Sequence, residues 1–581
     1  MSRRVFLPIV AAVALVALAI PAGSAAGAAH PGAKAAAMPQ PADPLSQINH
    51  IVVIYEENHS FDNLYGMWPG VNGLRNTPTS RTAQINQAGK RYDCLLQDDA
   101  NLASPPLTAT CTDSTTPTTF QSHFGNAPFR IDSYIAPTDT TCPPTPSVAF
   151  THPNGWVNGT GSPGGCTRDI VHRFYQEQYQ LNGGHQNRYV TGSDAAGLTM
   201  GYYDTTQLPI YQYLHQAGHP NYAILDDFFQ AAFGGSFLNH QWLIAAATPT
   251  YPGAAATLHS VLDANGMPVL RSPPASNSPV ALYTSPASAG LVDGPLTQTC
   301  PATNGLACGD YAVNTMQPFA QPSGPFGAKL PAQTAPTIGD RLTAAGVDWA
   351  WYAGGWSNAA GDVGAPGWTN GAGPDSSGNC PDPNSFKNPA WPFCPDQLFQ
   401  FHHQPFSYYA NYGPTGPGRS HLRDEQEFIS DAQASTSTCQ LKPVSFVKPI
   451  GEENEHPGYA SEPNGSDHLV SLLQDIQGSA CASDTMVVVT YDEFGGQWDH
   501  VPPPGMLGTQ GPHDQWGPGT RIPALVITPG LRGSFVVDGT EHDTTSILST
   551  IEHRFGLPPL STRDAAVPDL SSVFGAKSAG G

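Results

Sequence analysis

The residues best suited to chemistry stand in three short runs. The first is "INHIVVIYEENHSFDNLYG", residues 48–66, where Glu56, Glu57, Asn58, His59, Ser60 and Asp62 directly follow the apolar run Ile51 to Ile54. The second is "VVVTYDEFGGQWDHVPPP", where Met486 to Thr490 lead into Asp492 and Glu493, with Gly495 and Gly496 permitting a tight turn. The third is "FQAAFGGSFLNHQWLI", in which Ser236 follows two glycines and opens a helical pattern. If the first two runs end side by side, Glu57, Asn58, Asp492 and Glu493 converge, and three carboxylates sit together only around a cation. A hydroxyl at a helix start lies in a field that favours anions, so Ser236 suits a nucleophile. Taken singly, each acid could cap a loop and Ser236 could be an N-cap. Leu238 replaces the second glycine of GxSxG, which argues against an α/β-hydrolase elbow. Activation by a metal would then take the place of a histidine base.

The donors are carboxylate, amide and hydroxyl oxygens. Such a hard set favours calcium, magnesium or manganese over zinc. The cysteines, at 94, 111, 142, 166, 300, 308, 380, 394, 439 and 481, form no CxxC and point to disulfides, with Cys300/Cys308 and Cys380/Cys394 close enough in sequence to staple loops.

These residues need a scaffold. Strand patterns fall at 51–54, 222–225, "VDWAWY" from 347, "VSFV" from 444, "TMVVVTY" from 485 and "IPALVITPG" from 522, and helical patterns between them include "TIGDRLTAAG", "SDHLVSLLQDIQGS" from 466 and "TTSILSTIEHRF" from 544. Strands alternating with helices imply a mostly parallel sheet covered on both faces, with ligands at the strands' carboxyl ends. Residues 75–165 and 248–335, rich in Pro, Ser, Thr, Gly and Asn, read as long insertions in one domain spanning 47–575, with a tail at 576–581. The aromatic run "VDWAWYAGGW" reads equally as a core strand with an aromatic loop and as a platform for lipid or sugar.

Composition limits the partners. Asp and Glu number 46 against 24 Lys and Arg, a net charge of −22, which repels a phosphate backbone and excludes nucleic acid as a partner. Arg3 and Arg4 before the apolar run Ile9 to Ile20, then "AGSAAGAAH", read as an export signal over 1–28, followed by a linker to 46. "SRRVFL" fits the twin-arginine route, and Pro8 with the apolar core fits the Sec route. Either route leads to the periplasm or outside, and no mature membrane span is expected. The sequence sets no oligomeric state.

Five motifs, "EENHSFDNLYG", "GGSFLNH", "FHHQPFSYYANY", "NEHPGYA" and "TYDEFGGQWDHVPPP", resemble in order the bacterial phosphoesterase family that contains phosphatidylcholine-type phospholipases C and the acid phosphatase A group. The resemblance covers residues 48 to 565 and implies an alkaline-phosphatase-like, three-layer α/β/α sandwich. It implies Glu57, Asn58, Asp492 and Glu493 as metal ligands together with Ser236, and Ser236 as nucleophile. His172, His402, His403 and His456 are implied as phosphate-pocket residues, with His123 and His185 near enough in sequence to compete with His172. Asp499 and His500 are expected to fix the loop after the acidic pair. Histidines left off the metal would donate to phosphoryl oxygens, and as imidazolium they would favour an acidic optimum. "GGSFLNH" is closer to the acid phosphatases, so phosphate monoesters are the first expected substrate and phospholipid diesters the second; an exported binding protein without catalysis is the third reading.

Overall fold

The computed structural model describes residues 43–96, 107–116, 119–134, 169–269, 292–300, 305–325, 327–382, 384–386, 389–458 and 462–578. The export signal and linker expected over 1–46 lie almost wholly outside them, as do Cys142 and Cys166.

Nine strands form the central sheet: β1 (His50–Glu56), β2 (Tyr222–Leu225), β3 (Trp349–Ala353), β4 (Leu422–Asp424), β5 (Val444–Lys448), β6 (Thr485–Tyr491), β7 (Ala524–Ile527), β8 (Phe535–Asp538) and β9 (Lys577–Ser578). Their order is β4-β3-β5-β1-β6-β7-β2-β8-β9. β-Branched and aromatic residues fill β1, β3, β5 and β6, and consecutive residues of each are buried, so both faces of the sheet are covered. The covering helices fall into two groups. Helices α3 (Pro209–His215) and α6 (Glu425–Ala434) pack on α7 (Glu462–Gln477), whereas α5 (Ile338–Ala344) and α8 (Thr545–Phe555) pack on α4 (Ser236–Ala245). This is the expected α/β/α sandwich. Two short helices complete the frame, α1 (Phe61–Leu64) and α2 (Phe174–Leu181).

Register explains why two acidic runs meet. β1 lies between β5 and β6, parallel to both, with Ile54 opposite Val447 and Val489, and Glu56 opposite Tyr491. The next residues of β1 and β6 are therefore Glu57 and Asp492, and the Asp492 N–H donates to the Glu56 carbonyl at 3.1 Å. Two strands depart from the parallel pattern: β7 runs antiparallel to both β6 and β2, and β9 runs antiparallel to β8.

One helix start differs from the sequence pattern. α7 begins at Glu462, so Ser466 is internal, and its hydroxyl accepts from the Ile210 N–H. At α8 the cap comes from Asp543, whose Oδ1 accepts from the Thr545 N–H at 2.7 Å. Disulfides join Cys94 to Cys111, Cys300 to Cys308, Cys380 to Cys394 and Cys439 to Cys481. No zinc-cysteine cluster is present among the described residues. Residues from Pro44 onward make one compact unit.

Candidate active site

Ser236 is the first residue of α4, and the two preceding glycines are what let it sit there. Gly234 has φ +89°, and a side-chain carbon on it would lie 2.7 Å from the Phe174 nitrogen. On Gly235 it would lie 2.9 Å from the His172 carbonyl. The turn is anchored from below by Glu177 of α2. Its carboxylate accepts from Gly234 N–H at 2.5 Å, Gln230 Nε2 at 2.9 Å, Thr520 N–H at 2.7 Å and Thr520 Oγ1 at 2.8 Å. Burial pushes this carboxyl up to about 7 against those four donors.

The serine hydroxyl meets both acidic runs. Ser236 Oγ donates to Glu57 Oε2 at 3.0 Å and lies 3.3 Å from Asn58 Oδ1 and 3.4 Å from Glu493 Oε1. Asp492 Oδ1 accepts from the Asn58 and Glu493 N–H groups at 3.0 and 2.8 Å, while its Oδ2 is buried without a hydrogen-bond partner among the described residues. Asn58 itself adopts φ +61°.

Asn58 tests the fit of a cation. Its Oδ1 faces the oxygens of Glu57, Glu493 and Ser236, and its Nδ2 faces Nε2 of His172 and His456 at 3.2 and 3.0 Å. Half a turn of the amide would instead place an N–H 2.7 Å from Glu493 Oε1. Whichever way the amide lies, the buried carboxylates of Glu57, Asp492 and Glu493 converge beside Ser236 and repel unless a cation lies among them, so with Asn58 and Ser236 they fit a hard divalent ion. Burial, then mutual repulsion, raises the Asp492 and Glu493 carboxyls well above their ordinary values.

Behind this cluster Glu57 is held by Lys448 and His240, to which the sequence reading gave no role, and by His403, which it put in the phosphate pocket. Lys448 Nζ, at the end of β5, lies 2.5 Å from Glu57 Oε1, and His403 Nε2 lies 3.1 Å from the same oxygen. His240, one turn along α4 from Ser236, stacks on His403 with ring centres 5.0 Å apart and approaches Glu57 Oε1 at 3.7 Å. Burial opposes ionisation of Glu57, but His403 and Lys448 outweigh it and hold the carboxyl well below the usual range. The positions were findable in part: Lys448 stands at a strand's carboxyl end, and His240 lies four residues from Ser236, on the same helix face.

A cavity of about 500 Å³ opens onto Ser236, with His172, His402 and His456 on its walls beside Asp169, Arg173, Asn314 and Gln400. His403 is turned away from it toward Glu57. Of the histidines near in sequence to His172, His123 bonds Thr108 O and Tyr134 OH, away from this cavity. Burial lowers His402 and His456, and holds His403 down at about 4. Burial thus opposes the charged form of these rings, on which the imidazolium clamp expected from sequence relies. The loop after Glu493 is fixed by Asp499, which pairs with the buried Arg521 at 3.1 Å, and by His500, whose Nδ1 lies 2.6 Å from Asp62 Oδ2. Arg521 also reaches Asp62, a link the sequence reading lacked.

A buried serine hydroxyl among carboxylates, at the carboxyl edge of a mostly parallel sheet, characterises this protein. The sequence profile of the Phosphoesterase family matches residues 48–558, and the chain belongs to that family. It is similar to Phospholipase C A of Mycobacterium tuberculosis, 32% identical over 200 residues that cover 31% of this chain and 36% of that protein. It is also similar to non-hemolytic phospholipase C of Pseudomonas aeruginosa, 30% identical over 162 residues covering 23% of each. The non-specific phospholipase C6 of Arabidopsis thaliana is 28% identical over 157 residues, covering 24% of this chain and 30% of its own. The matched segments thus span about a third or less of these relatives. Among solved structures, a 2-O GAG sulfatase is similar over 65% of this chain and 71% of its own, at 12% identity and a TM-score of 0.28.

Proposed function

We propose that the protein is an exported, divalent-metal-dependent phosphoesterase that cleaves phosphate monoesters through Ser236. The observation that carries this reading is the position of Ser236 Oγ, 3.0 Å from Glu57 Oε2 at the start of α4 and on the floor of the cavity. Ser236 Oγ attacks phosphorus in line, the ester P–O bond breaks, and the alcohol leaves. Water then hydrolyses the phosphoserine, returning the hydroxyl and releasing phosphate. A divalent ion held by Glu57, Asn58, Asp492 and Glu493 would supply positive charge that favours the serine alkoxide and offsets the phosphate. His172, His402 and His456 face the phosphoryl oxygens from the walls. Lys448 and His403 keep Glu57 ionised.

The polar walls of the cavity suit a small, charged ester. The four disulfides support an oxidising compartment, periplasmic or extracellular. The second reading is a phospholipase C acting on a diester headgroup, and the names of the relatives favour it.

Hydrolysis of p-nitrophenyl phosphate and p-nitrophenyl phosphorylcholine from pH 4 to 9, with and without chelator, separates the two. Monoester turnover that Ser236→Ala abolishes supports the phosphatase. Turnover of the choline diester alone replaces it with the phospholipase, and full activity in Ser236→Ala removes the serine mechanism.

A further inference from the structure

A second cluster lies behind the phosphate pocket, built from the neighbours of pocket residues. Glu57 and Asn58 face Ser236, but His59 turns the other way; His456 lines the cavity, but Glu455 turns back toward His59. Asn58 and Glu455, with φ +61° and +64°, are the two points where the backbone makes this reversal possible. Glu462, the first residue of α7, completes the group, and all three side chains are buried.

The hydrogen bonds around His59 leave one nitrogen facing only acceptors. Asn63 Nδ2 donates to the Gly201 carbonyl at 2.8 Å, which fixes the amide and turns its Oδ1 to His59 Nδ1 at 2.5 Å. Nδ1 therefore carries the hydrogen. The lone pair of Nε2 then points at the Glu455 carbonyl, 2.9 Å away, and at Glu462 Oε2, 3.3 Å away. Apart from a hydrogen bond between the Glu455 and Glu462 carboxyls themselves, both oxygens of Glu462 and Oε1 of Glu455 have no donor among the described residues, whereas Glu455 Oε2 is held by the Tyr491 hydroxyl. Both oxygens of Glu56, also buried, are without one as well.

We propose that His59, Glu455 and Glu462 form a second metal site, for zinc or a similar borderline divalent ion. One donor atom from each lies within 4.8 Å of the others. Tetrahedral zinc, with bonds of roughly 2.0 to 2.2 Å, holds its ligands about 3.4 Å apart, close to the His59 to Glu462 spacing. One imidazole and two carboxylates make a donor set softer than the all-oxygen cluster at Ser236, so the two sites would select different ions. The ion would staple the segment after β1 to the loop that carries His456. The competing occupant is a proton shared between the Glu455 and Glu462 carboxyls, or held on Nε2.

Cobalt(II) is the probe. The full chain is stripped with chelator, given excess calcium to fill the hard site, and titrated with cobalt. One equivalent with the visible absorption of a four-coordinate nitrogen and oxygen site, displaced by zinc, is expected. Glu462→Gln should weaken it at least tenfold, and Asp492→Asn should leave it unchanged. No stoichiometric band in the wild type overturns the proposal, as does a band that survives Glu462→Gln or disappears in Asp492→Asn. Anomalous diffraction from zinc-soaked wild-type crystals does not depend on the folding of any variant. A peak about 2.1 Å from His59 Nε2 supports the site, and its absence overturns it.

Discussion

Lys448 Nζ and Glu57 Oε1 lie 2.5 Å apart, with neither side chain exposed to solvent. The lysine also donates to the Tyr55 carbonyl at 2.8 Å, so it ties the ends of β5 and β1 together where the acidic run begins. Glu57 thus divides its two oxygens: one faces Lys448 and His403, the other faces Ser236.

Breaking that pair from one side leaves a buried carboxylate uncompensated. Lys448→Met is expected to lower stability by roughly 3 to 5 kcal/mol, because removing one partner of a buried ion pair leaves the other charge without compensation. Thermal or denaturant unfolding of metal-loaded protein checks this. A midpoint equal to wild type would mean that Glu57 is neutralised without the lysine.

Removing the metal should make stability depend on pH. Asp492 and Glu493 have folded values raised by burial above their unfolded ones. A raised acid contributes stability below its unfolded value, near 4, and loses that contribution as pH rises through the folded one. Chelated protein should therefore melt at falling temperatures from pH 5 to 8, while protein saturated with calcium or magnesium keeps a flatter profile. Scanning calorimetry at both conditions is the measurement, and parallel profiles would argue that no ion binds among these acids.

Glu177 touches neither Ser236 nor the cavity, yet it holds the turn before the serine through four donors. Glu177→Gln places an amide NH₂ against N–H groups, so at least one donor loses its acceptor, at a cost of about 1 to 3 kcal/mol. The expected result is a fall in kcat of ten- to a hundredfold with KM nearly unchanged, since substrate contacts stay in place while the nucleophile shifts. A loss confined to KM would place the effect elsewhere.

The strands were legible because β-branched runs such as Ile51 to Ile54 and Met486 to Thr490 have few other uses, and the acids after them marked the sheet's carboxyl edge. Direction was not legible: "IPALVITPG" looks like its parallel neighbours, and only the paired sheet shows β7 running the other way. The short β4, β8 and β9 are too brief to show a period. Ser236, the four acidic-run residues, His172, His402 and His456 meet around one cavity floor. Lys448, His240, Glu177 and Arg521 gain their roles from partners distant in sequence; only the strand-end position of Lys448 and the helical spacing of His240 from Ser236 hint at theirs, and nothing local marks Glu177 or Arg521. The pair His402 and His403 shows the same limit from the other side, because adjacency in "FHHQPF" suggested a shared role that the backbone does not give them.

That divergence makes the last prediction. His402 lines the cavity, whereas His403 Nε2 lies 3.1 Å from Glu57 Oε1 and is stacked on His240. His402→Ala removes a phosphoryl-oxygen donor and should lower kcat/KM roughly 100- to 1000-fold with little change in melting temperature. His403→Ala opens a gap beside His240 and strips a partner from Glu57, so melting temperature and metal affinity should fall together, and added metal should recover part of the activity. Parallel measurement of kcat/KM, melting temperature and metal dependence distinguishes the two. Equal losses in both variants, with unchanged stability, would return His403 to the phosphate pocket alongside its neighbour.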